Sequence, residues 1–181
     1  LPRNAVQGTD GHFAISPDGR ELAFVADSDS AINDSDNDVF TVAIAADGSG
    51  DKTVRNLTAG NPAGDGAPQY SPDGRYLSFV QQRIKGFYAD KGRLMLHDRR
   101  EGGTRALFAD WDRSAGGLVW ARDSRRLYGA IDDAGTVRVH ELPIDAAVGD
   151  MPRKITASAS FGGLATSDDG TRVALETPDG W

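Results

Sequence analysis

Short stretches in which apolar and polar residues alternate recur along the chain, each directly after a tight-turn sequence. In the first stretch Leu22 and Phe24 fall on one face of a strand, and Leu77 and Phe79 do so in the second. Alternation with a period of two residues is typical of β-strands whose two faces differ. No long stretch has the 3.6-residue period of an amphipathic helix. The pattern therefore predicts an all-β protein.

Four copies of one sequence unit account for this pattern. The copies begin at Ile15, Tyr70, Trp120 and Thr166, and the first two contain the turn Ser-Pro-Asp-Gly followed by arginine. Proline suits the second turn position and glycine the position with positive φ, so each copy predicts a β-hairpin. The third copy has Ser124 where glycine is expected. A side chain in that conformation costs about 1 kcal/mol or more, so we expect this turn to be adjusted.

Each hairpin is followed by two further strand-like stretches, so one unit contains four antiparallel strands, A to D. Successive units begin 55, 50 and 46 residues apart, and four-stranded units at this period predict a β-propeller. We place the blades at about 10–58, 66–108 and 116–156, with an incomplete fourth at 162–181. About three and a half to four blades do not close an ordinary ring. We therefore expect residues 1–181 to form a partial propeller, and the chain to be a fragment or a processed form.

The alternation also predicts which strand residues lie in the core and which connections carry function. The expected core residues are Leu22, Phe24, Phe40, Val42, Leu77, Phe79, Leu94, Leu96, Leu127, Val139 and Val173. The A–B and C–D turns fall at one end of the blades and are short. The B–C loops at 26–37 and 81–91 and the D–A loops at 59–67 and 109–116 share the other end and are long and individual. Function on a regular scaffold usually lies in such loops.

Composition narrows the possible functions. The chain has 181 residues and no cysteine, with 20 Lys and Arg against 27 Asp and Glu, a net charge of −7. Without cysteine, a disulfide scaffold, a CxxC zinc site and a cysteine nucleophile are excluded. The acidic balance argues against nucleic acid and anionic membranes as partners. No apolar run approaches the roughly 18 residues needed to span a bilayer.

The repeat resembles the propeller repeat of the prolyl-oligopeptidase family of serine peptidases, and also that of TolB-like partner-binding propellers. Two longer segments favour the peptidases, specifically the dipeptidyl-peptidase or acylaminoacyl-peptidase type. One combines Asp38-Val39-Phe40 with Arg55-Asn56-Leu57-Thr58, which is similar to a blade ending in that family. The other runs from Gly86 to Arg99, and residues 110–114 belong with it.

This resemblance implies a seven- or eight-bladed propeller that restricts access to an α/β-hydrolase domain, so that only short peptides reach the catalytic serine. The chain contains no Gly-x-Ser-x-Gly, the nucleophile elbow of such domains. We therefore expect the hydrolase domain to be absent and the chain to be catalytically silent, and we assign no catalytic, cofactor-binding or metal-ligating residue. The implied partners are the parent protein's hydrolase domain and short peptide substrates. A periplasmic or secreted parent is favoured over a cytoplasmic one.

Two other functions and one assembly are also compatible with a partial propeller. The chain can be a stand-alone TolB-like propeller that binds a protein partner. A metal-dependent propeller hydrolase is disfavoured, because the innermost strands offer mainly His12, Gln69 and Trp120. Incomplete rings expose blade faces and strand edges, so two chains can also form a homodimer that closes an eight-bladed ring.

An acidic loop and three histidines are the candidate metal ligands. The loop at 27–38 alternates Asp with Asn and Ser, and such side chains can converge on Ca²⁺. Val39 and Ala45 stand where an EF-hand loop requires glycine and a bidentate glutamate, so a solvated loop is favoured. The remaining candidates are His12, His97 and His140. We interpret them as structural or surface residues, because a zinc site needs three or four ligands.

Two further groups are candidates for contact with a partner. Arg83, Lys85, Phe87 and Tyr88 form a basic and aromatic loop tip. Packing against a neighbouring blade is favoured over contact with a hydrolase domain or with a peptide carboxylate. For the group Asp110-Trp111-Asp112-Arg113, a salt-bridged corner between blades is favoured over contact with substrate.

Overall fold

The computed structural model describes residues 12–28, 36–45, 49, 52–156, 163–167 and 173–176. The regular elements of these residues are all β-strands, as the alternation predicts. They are β1 Phe13–Ile15, β2 Glu21–Asp27, β3 Asn37–Ala43, β4 Arg55–Asn56, β5 Asp65–Tyr70, β6 Tyr76–Gln81, β7 Arg93–Asp98, β8 Thr104–Ala106, β9 Leu118–Trp120, β10 Arg126–Asp133, β11 Thr136–Pro143, β12 Arg153–Lys154, β13 Gly163–Thr166 and β14 Val173–Glu176.

The strands form three four-stranded antiparallel sheets and one antiparallel pair. The first sheet contains β1 to β4, the second β5 to β8 and the third β9 to β12, each in chain order, and β13 pairs with β14. Apolar faces of neighbouring sheets pack against one another. The prediction of an open, partial β-propeller is confirmed.

The outermost strands are shorter than the sequence predicts, with two residues each in β4 and β12. A threonine side chain ends the backbone ladder in both sheets. The backbone N–H of Val39 donates to Thr58 Oγ1 over 3.0 Å, and that of Val139 donates to Thr156 Oγ1 over 3.0 Å. The side chain thus takes the place of the next backbone carbonyl in the ladder.

The Ser-Pro-Asp-Gly hairpins hold themselves together through their own side chains. In the first hairpin, Ser16 Oγ donates to Asp18 Oδ1 over 2.6 Å and accepts the backbone N–H of Glu21 over 2.9 Å. Gly19 has the expected positive φ of 69°. Ser71 makes the same two kinds of contact in the second hairpin. Each of these two turns is therefore closed by hydrogen bonds between its own residues.

The prediction that the third hairpin adjusts its turn is wrong. Ser124 keeps a positive φ of 58°, and its backbone N–H donates to the carbonyl of Ala121 over 3.0 Å as the glycine does in the other hairpins. Its side-chain Oγ accepts the backbone N–H of Asp73, in the second sheet, over 3.0 Å. This bond between neighbouring hairpins offsets the strain of the left-handed backbone.

We predict that Ser124→Ala and Ser124→Gly differ in stability. Alanine keeps the unfavourable φ and removes the bond to Asp73, so the free energy of unfolding should fall by about 1 kcal/mol. Glycine removes the same bond but relieves about 1 kcal/mol of backbone strain, so its net effect should be close to zero. Urea unfolding of both variants measures the difference. An alanine variant as stable as the unmodified chain would contradict the role given to the hydroxyl.

Among the described residues, the core forms two layers, each between neighbouring sheets. The layer between the first and second sheets contains Ala23, Val39, Tyr70, Leu77, Phe79 and Met95. The layer between the second and third sheets contains Leu94, Leu96, Leu107, Phe108, Leu118, Trp120, Leu127 and Leu142. The expected core residues found buried are Phe40, Leu77, Phe79, Leu94, Leu96, Leu127 and Val139. The side chain of Val173 lies outside the part of the chain that the structure describes.

Leu22, Phe24 and Val42 are only half-buried, so their assignment to the core is wrong. They share a face with Phe13 and Ile15, which are 62% and 56% exposed. We call these five residues the open face of the first sheet. In the second and third sheets, the face at the same repeat positions packs against the preceding sheet. Among the described residues no sheet precedes the first one, so its apolar face meets solvent.

Candidate functional site

The candidate site lies at the end of the sheets where the long connections meet, between β2 and β3, β4 and β5, β6 and β7, and β8 and β9. We call this end the loop face. Its described part consists of two buried carboxylates in strands, one projecting loop that contains a third, and one corner between sheets.

The first buried carboxylate, Asp38, fastens the edge of the first sheet. Asn56 Nδ2 donates to Asp38 Oδ2 over 2.6 Å, and Thr58 Oγ1 donates to Asp38 Oδ1 over 2.8 Å. This contact explains why Asp38-Val39-Phe40 and Arg55-Asn56-Leu57-Thr58 occur together in the sequence. Both carboxylate oxygens are bonded inside the blade, so Asp38 does not point towards the acidic loop before it.

The second buried carboxylate, Asp65, lies at the start of β5 and has amides for partners. Asn61 Nδ2 donates to its Oδ2 over 3.0 Å, and Gln81 Nε2 donates to its Oδ1 over 3.0 Å. Burial raises the pKa of Asp65 to about 6, and the two amides lower it by less. Sequence analysis missed this residue, because its partners come from a loop and from another strand.

The projecting loop, residues 82–92, is fixed from within by Asp90. Its carboxylate accepts the backbone N–H groups of Arg83 over 2.5 Å and Ile84 over 3.1 Å, and Arg93 Nη1 over 3.1 Å. These donors hold the pKa of Asp90 at about 2. Gln82 Nε2 also donates to the carbonyl of Asp90 over 2.9 Å. The loop is therefore ordered by its own hydrogen bonds.

The same loop exposes large apolar side chains, which contradicts the prediction that its tip packs against a neighbouring blade. Ile84, Phe87 and Tyr88 are 54%, 50% and 94% exposed, and we call them the aromatic tip. Two turns form the tip: Phe87 N–H donates to Ile84 O, and Asp90 N–H donates to Phe87 O. Arg83 and Lys85 are exposed beside it.

A corner between the second and third sheets supports this loop. Lys91 Nζ donates to the carbonyls of Ala109 over 3.0 Å and Trp111 over 2.9 Å. Arg113 Nη2 forms an ion pair with Asp133 Oδ1 in β10 over 3.1 Å. The corner predicted for residues 110–113 is therefore present, with Arg113 as its charged member, while Asp110 and Asp112 are exposed.

The histidines occupy structural positions. His140 is buried with its ring 5.1 Å from that of Trp111, and His97 Nδ1 lies 2.9 Å from Thr104 Oγ1. Burial lowers the pKa of both rings. His12 is half-buried beside β1. Within the described ranges, no three His, Asp or Glu side chains lie close enough to hold a metal ion.

The remaining expectations concern the acidic loop and membrane-spanning segments. Residues 29–35 of the acidic loop lie outside the described residues, so its solvated state, without bound Ca²⁺, stays a prediction. A search of the described residues for a helix long and apolar enough to cross a membrane finds none.

Comparison with known proteins gives matches in sequence. No family model matches the chain. The chain is 27% identical over 174 residues to dipeptidyl-peptidase 5 of Aspergillus oryzae, a match that covers 91% of the chain and 24% of that protein. Dipeptidyl-peptidase 5 of Arthroderma otae is 27% identical over 164 residues, covering 84% of the chain and 22% of that protein. The chain thus spans about a quarter of the length of these curated relatives.

Solved structures match the fold. A puromycin-hydrolyzing peptidase of Mycobacterium tuberculosis superposes with a TM-score of 0.68 at 21% identity, over 90% of this chain and 27% of that one. TolB of Acinetobacter baumannii superposes with a TM-score of 0.63 at 16% identity, over 93% of this chain and 37% of that one. At these identities the structural matches establish the propeller fold alone. Taken with the sequence matches, they show that the chain resembles, over most of its length, a propeller region of serine peptidases of the prolyl-oligopeptidase family.

Proposed function

We propose that the chain is a non-catalytic part of the propeller that controls substrate access in a serine-type peptidase of the dipeptidyl-peptidase or acylaminoacyl-peptidase type. The supporting observation is the 27% identity to dipeptidyl-peptidase 5 over 174 residues. Because the match covers 24% of that relative, a longer parent protein has room for further blades and for an α/β-hydrolase domain. The parent acts on short peptides, and the blades at 10–58, 66–108, 116–156 and 162–181 line part of their route.

In this proposal the loop face is the side that meets the hydrolase domain. The aromatic tip supports the assignment, because the loop is held by Asp90 and yet leaves Phe87 and Tyr88 in solvent. Ordered, exposed aromatic side chains are typical of contact surfaces between proteins. At the opposite end of the sheets, the connections at 16–20, 71–75 and 121–125 are uniform five-residue turns, whereas those at 44–54, 99–103 and 144–152 differ in length.

The direct test of the proposal is the reading frame of the gene on both sides of the present sequence. We expect additional blades, followed by Gly-x-Ser-x-Gly and then by the Asp and His of a catalytic triad. A frame that encodes blades without a hydrolase domain would contradict the peptidase proposal.

A stand-alone binding propeller is the second candidate, and the superposition on TolB with a TM-score of 0.63 favours it. If this chain is a stand-alone propeller, its aromatic tip would contact a protein partner in place of a hydrolase domain. The same reading frame separates the two candidates, because only the first requires a catalytic domain in the same polypeptide.

We predict that Phe87→Ala combined with Tyr88→Ala loosens the selection of substrates in the parent peptidase. The variant loses the two aromatic side chains that the proposal places against the hydrolase domain, so the contact between the domains should weaken. The preference in kcat/KM for a short peptide over a long one should then fall about tenfold. Hydrolysis of matched peptides of two lengths measures this ratio. Val148→Ala is the control, because Val148 is fully exposed at the opposite end of the third sheet. An unchanged ratio in the double variant would contradict the role of the tip.

A further inference from the structure

A cleft of about 920 Å³ opens between the first and second sheets, at the end opposite the loop face. Thr41, Arg55 and Leu57 line it from the first sheet, and His97 and Arg100 line it from the second. The gap between the second and third sheets is closed at the corresponding place. The two gaps are built from equivalent positions of the repeat, so the residues that differ show what keeps one of them open.

The closed gap is filled by apolar side chains, whereas the open cleft has polar ones at the same repeat positions. In the second sheet, strand register places His97 opposite Leu77. In the equivalent pair of the third sheet, Leu142 lies opposite Leu127. Leu142 is fully buried and Ile144 packs against the same cluster. The residue equivalent to Ile144 is Arg99. Polar groups therefore replace the apolar filling in the cleft.

One arginine recurs in the outermost strand of each four-stranded sheet, and the arginine in the cleft differs from the other two in its contacts with the described residues. Register places Arg55 opposite Thr41, Arg105 opposite Leu96 and Arg153 opposite Glu141. Arg105 donates to the carbonyl of Ile144, and Arg153 forms an ion pair with Glu141. For the guanidinium of Arg55, the described residues supply neither a hydrogen-bond acceptor nor an ion-pair partner.

The guanidinium of Arg100, on the opposite wall, likewise has no hydrogen-bond or ion-pair partner among the described residues, although it lies close enough to Asp73 for their charges to interact. The carboxylates of the cleft are engaged instead. Glu21 Oε1 accepts Tyr70 Oη over 2.7 Å and Arg99 Nε over 3.1 Å. Asp18 and Asp73 each accept the hydroxyl of the serine in their own turn. Within the described part of the chain, the cleft thus offers two guanidinium groups without hydrogen-bond acceptors and carboxylates that already have donors.

We propose that this cleft binds a small organic carboxylate, held between Arg55 on one wall and Arg100 on the other. A guanidinium presents paired N–H donors that match the two oxygens of a carboxylate. The cleft volume of about 920 Å³ is far above that of a bare ion and falls in the range of small-molecule sites. Leu57 and the ring of Pro17 give the body of the ligand an apolar contact. Because its walls belong to two sheets, the ligand also ties these sheets together.

A pair of peptides that differ only at the carboxyl end tests the proposal. The 181-residue chain is titrated with N-acetyl-alanyl-alanine and with its carboxyl-terminal amide, and binding is followed by backbone amide NMR. We expect the free carboxylate to shift signals of the cleft and the amide not to. Arg55→Gln and Arg100→Gln should each weaken binding about tenfold, the usual effect of losing a charge-assisted hydrogen bond. Arg122→Gln, at an exposed arginine of the third sheet, should leave the affinity unchanged.

Three outcomes would overturn the proposal. They are equal binding of the two peptides, unchanged affinity in both cleft variants, and the absence of shifts at the cleft with the free carboxylate. Arg55 and Arg100 are exposed, so their replacement should leave the fold intact, and the spectra of the variants report this directly. The inference does not depend on the peptidase proposal, because the test needs neither a hydrolase domain nor the loop face.

Discussion

Replacing Leu77 by alanine should lower the free energy of unfolding by about 3 kcal/mol, whereas the same change at Leu22 should lower it by about 1 kcal/mol. The two leucines hold the same position of the repeat. Leu77 is fully buried between the first and second sheets, so its removal leaves a cavity. Leu22 is half-buried on the open face, where water can fill the space that the side chain leaves.

Chemical denaturation of the two variants, with Leu127→Ala as the matched control, measures this contrast. Leu127 is fully buried at the equivalent position of the third sheet. Leu127→Ala should therefore lower the free energy of unfolding by as much as Leu77→Ala does. If the free energy of unfolding fell equally in all three variants, the open face would have to be covered in solution. The homodimer predicted from the blade count is one such cover. Light scattering, and a loss at Leu22 that depends on protein concentration, would identify it.

Ionisation of Asp65 should lower the free energy of unfolding by up to about 3 kcal/mol between about pH 4 and pH 7. Burial raises the pKa of Asp65 from 3.8 to about 6 in the folded chain. The folded state therefore binds this proton more tightly than the unfolded state does. The resulting stabilisation is fully present below the unfolded pKa and is lost as the pH rises through the folded one.

The measurement is the free energy of unfolding against pH for the unmodified chain and for Asp65→Asn, which stays neutral throughout. The stability of the variant relative to the unmodified chain should rise with pH over this interval. Asp90→Asn is the control of opposite sign, because hydrogen bonds lower the pKa of Asp90 to about 2. The stability that Asp90 contributes is present above its unfolded pKa and is lost as the pH falls towards 2. Parallel profiles for Asp65→Asn and the unmodified chain would contradict a raised pKa.

The fold was predictable because its signals are local. Ser16 and Asp18 close their hairpin with bonds inside the turn, so the four-residue sequence is sufficient to identify it. The residues that share a strand face with Leu22 were also predictable, because alternation fixes which side chains point the same way. Alternation does not tell whether a neighbouring sheet covers that face. For this reason the core assignment was correct for Leu77 and wrong for Leu22.

The candidate site was less predictable because its contacts join residues that are distant in sequence or depend on loop conformation. The exposure of Phe87 and Tyr88 follows from the way Asp90 binds the backbone at Arg83, which no spacing rule reveals. Asp65 is perturbed by burial beside amides from a loop and from β6. The side chain of Ser124, which has positive φ, bonds to the neighbouring hairpin. The Ser124 bond forms only once two sheets have packed, whereas the contacts of Asp90 and Asp65 form within one loop and within one sheet.

The sheets are contiguous in the sequence, and this has a consequence for how the protein forms. Every ladder in the three four-stranded sheets joins strands that follow one another along the chain. A sheet can therefore complete its hydrogen bonds during synthesis, before the next sheet has left the ribosome. Each finished sheet then offers the following one an apolar template, so the protein can grow by stepwise addition of blades rather than by one collapse of the whole chain.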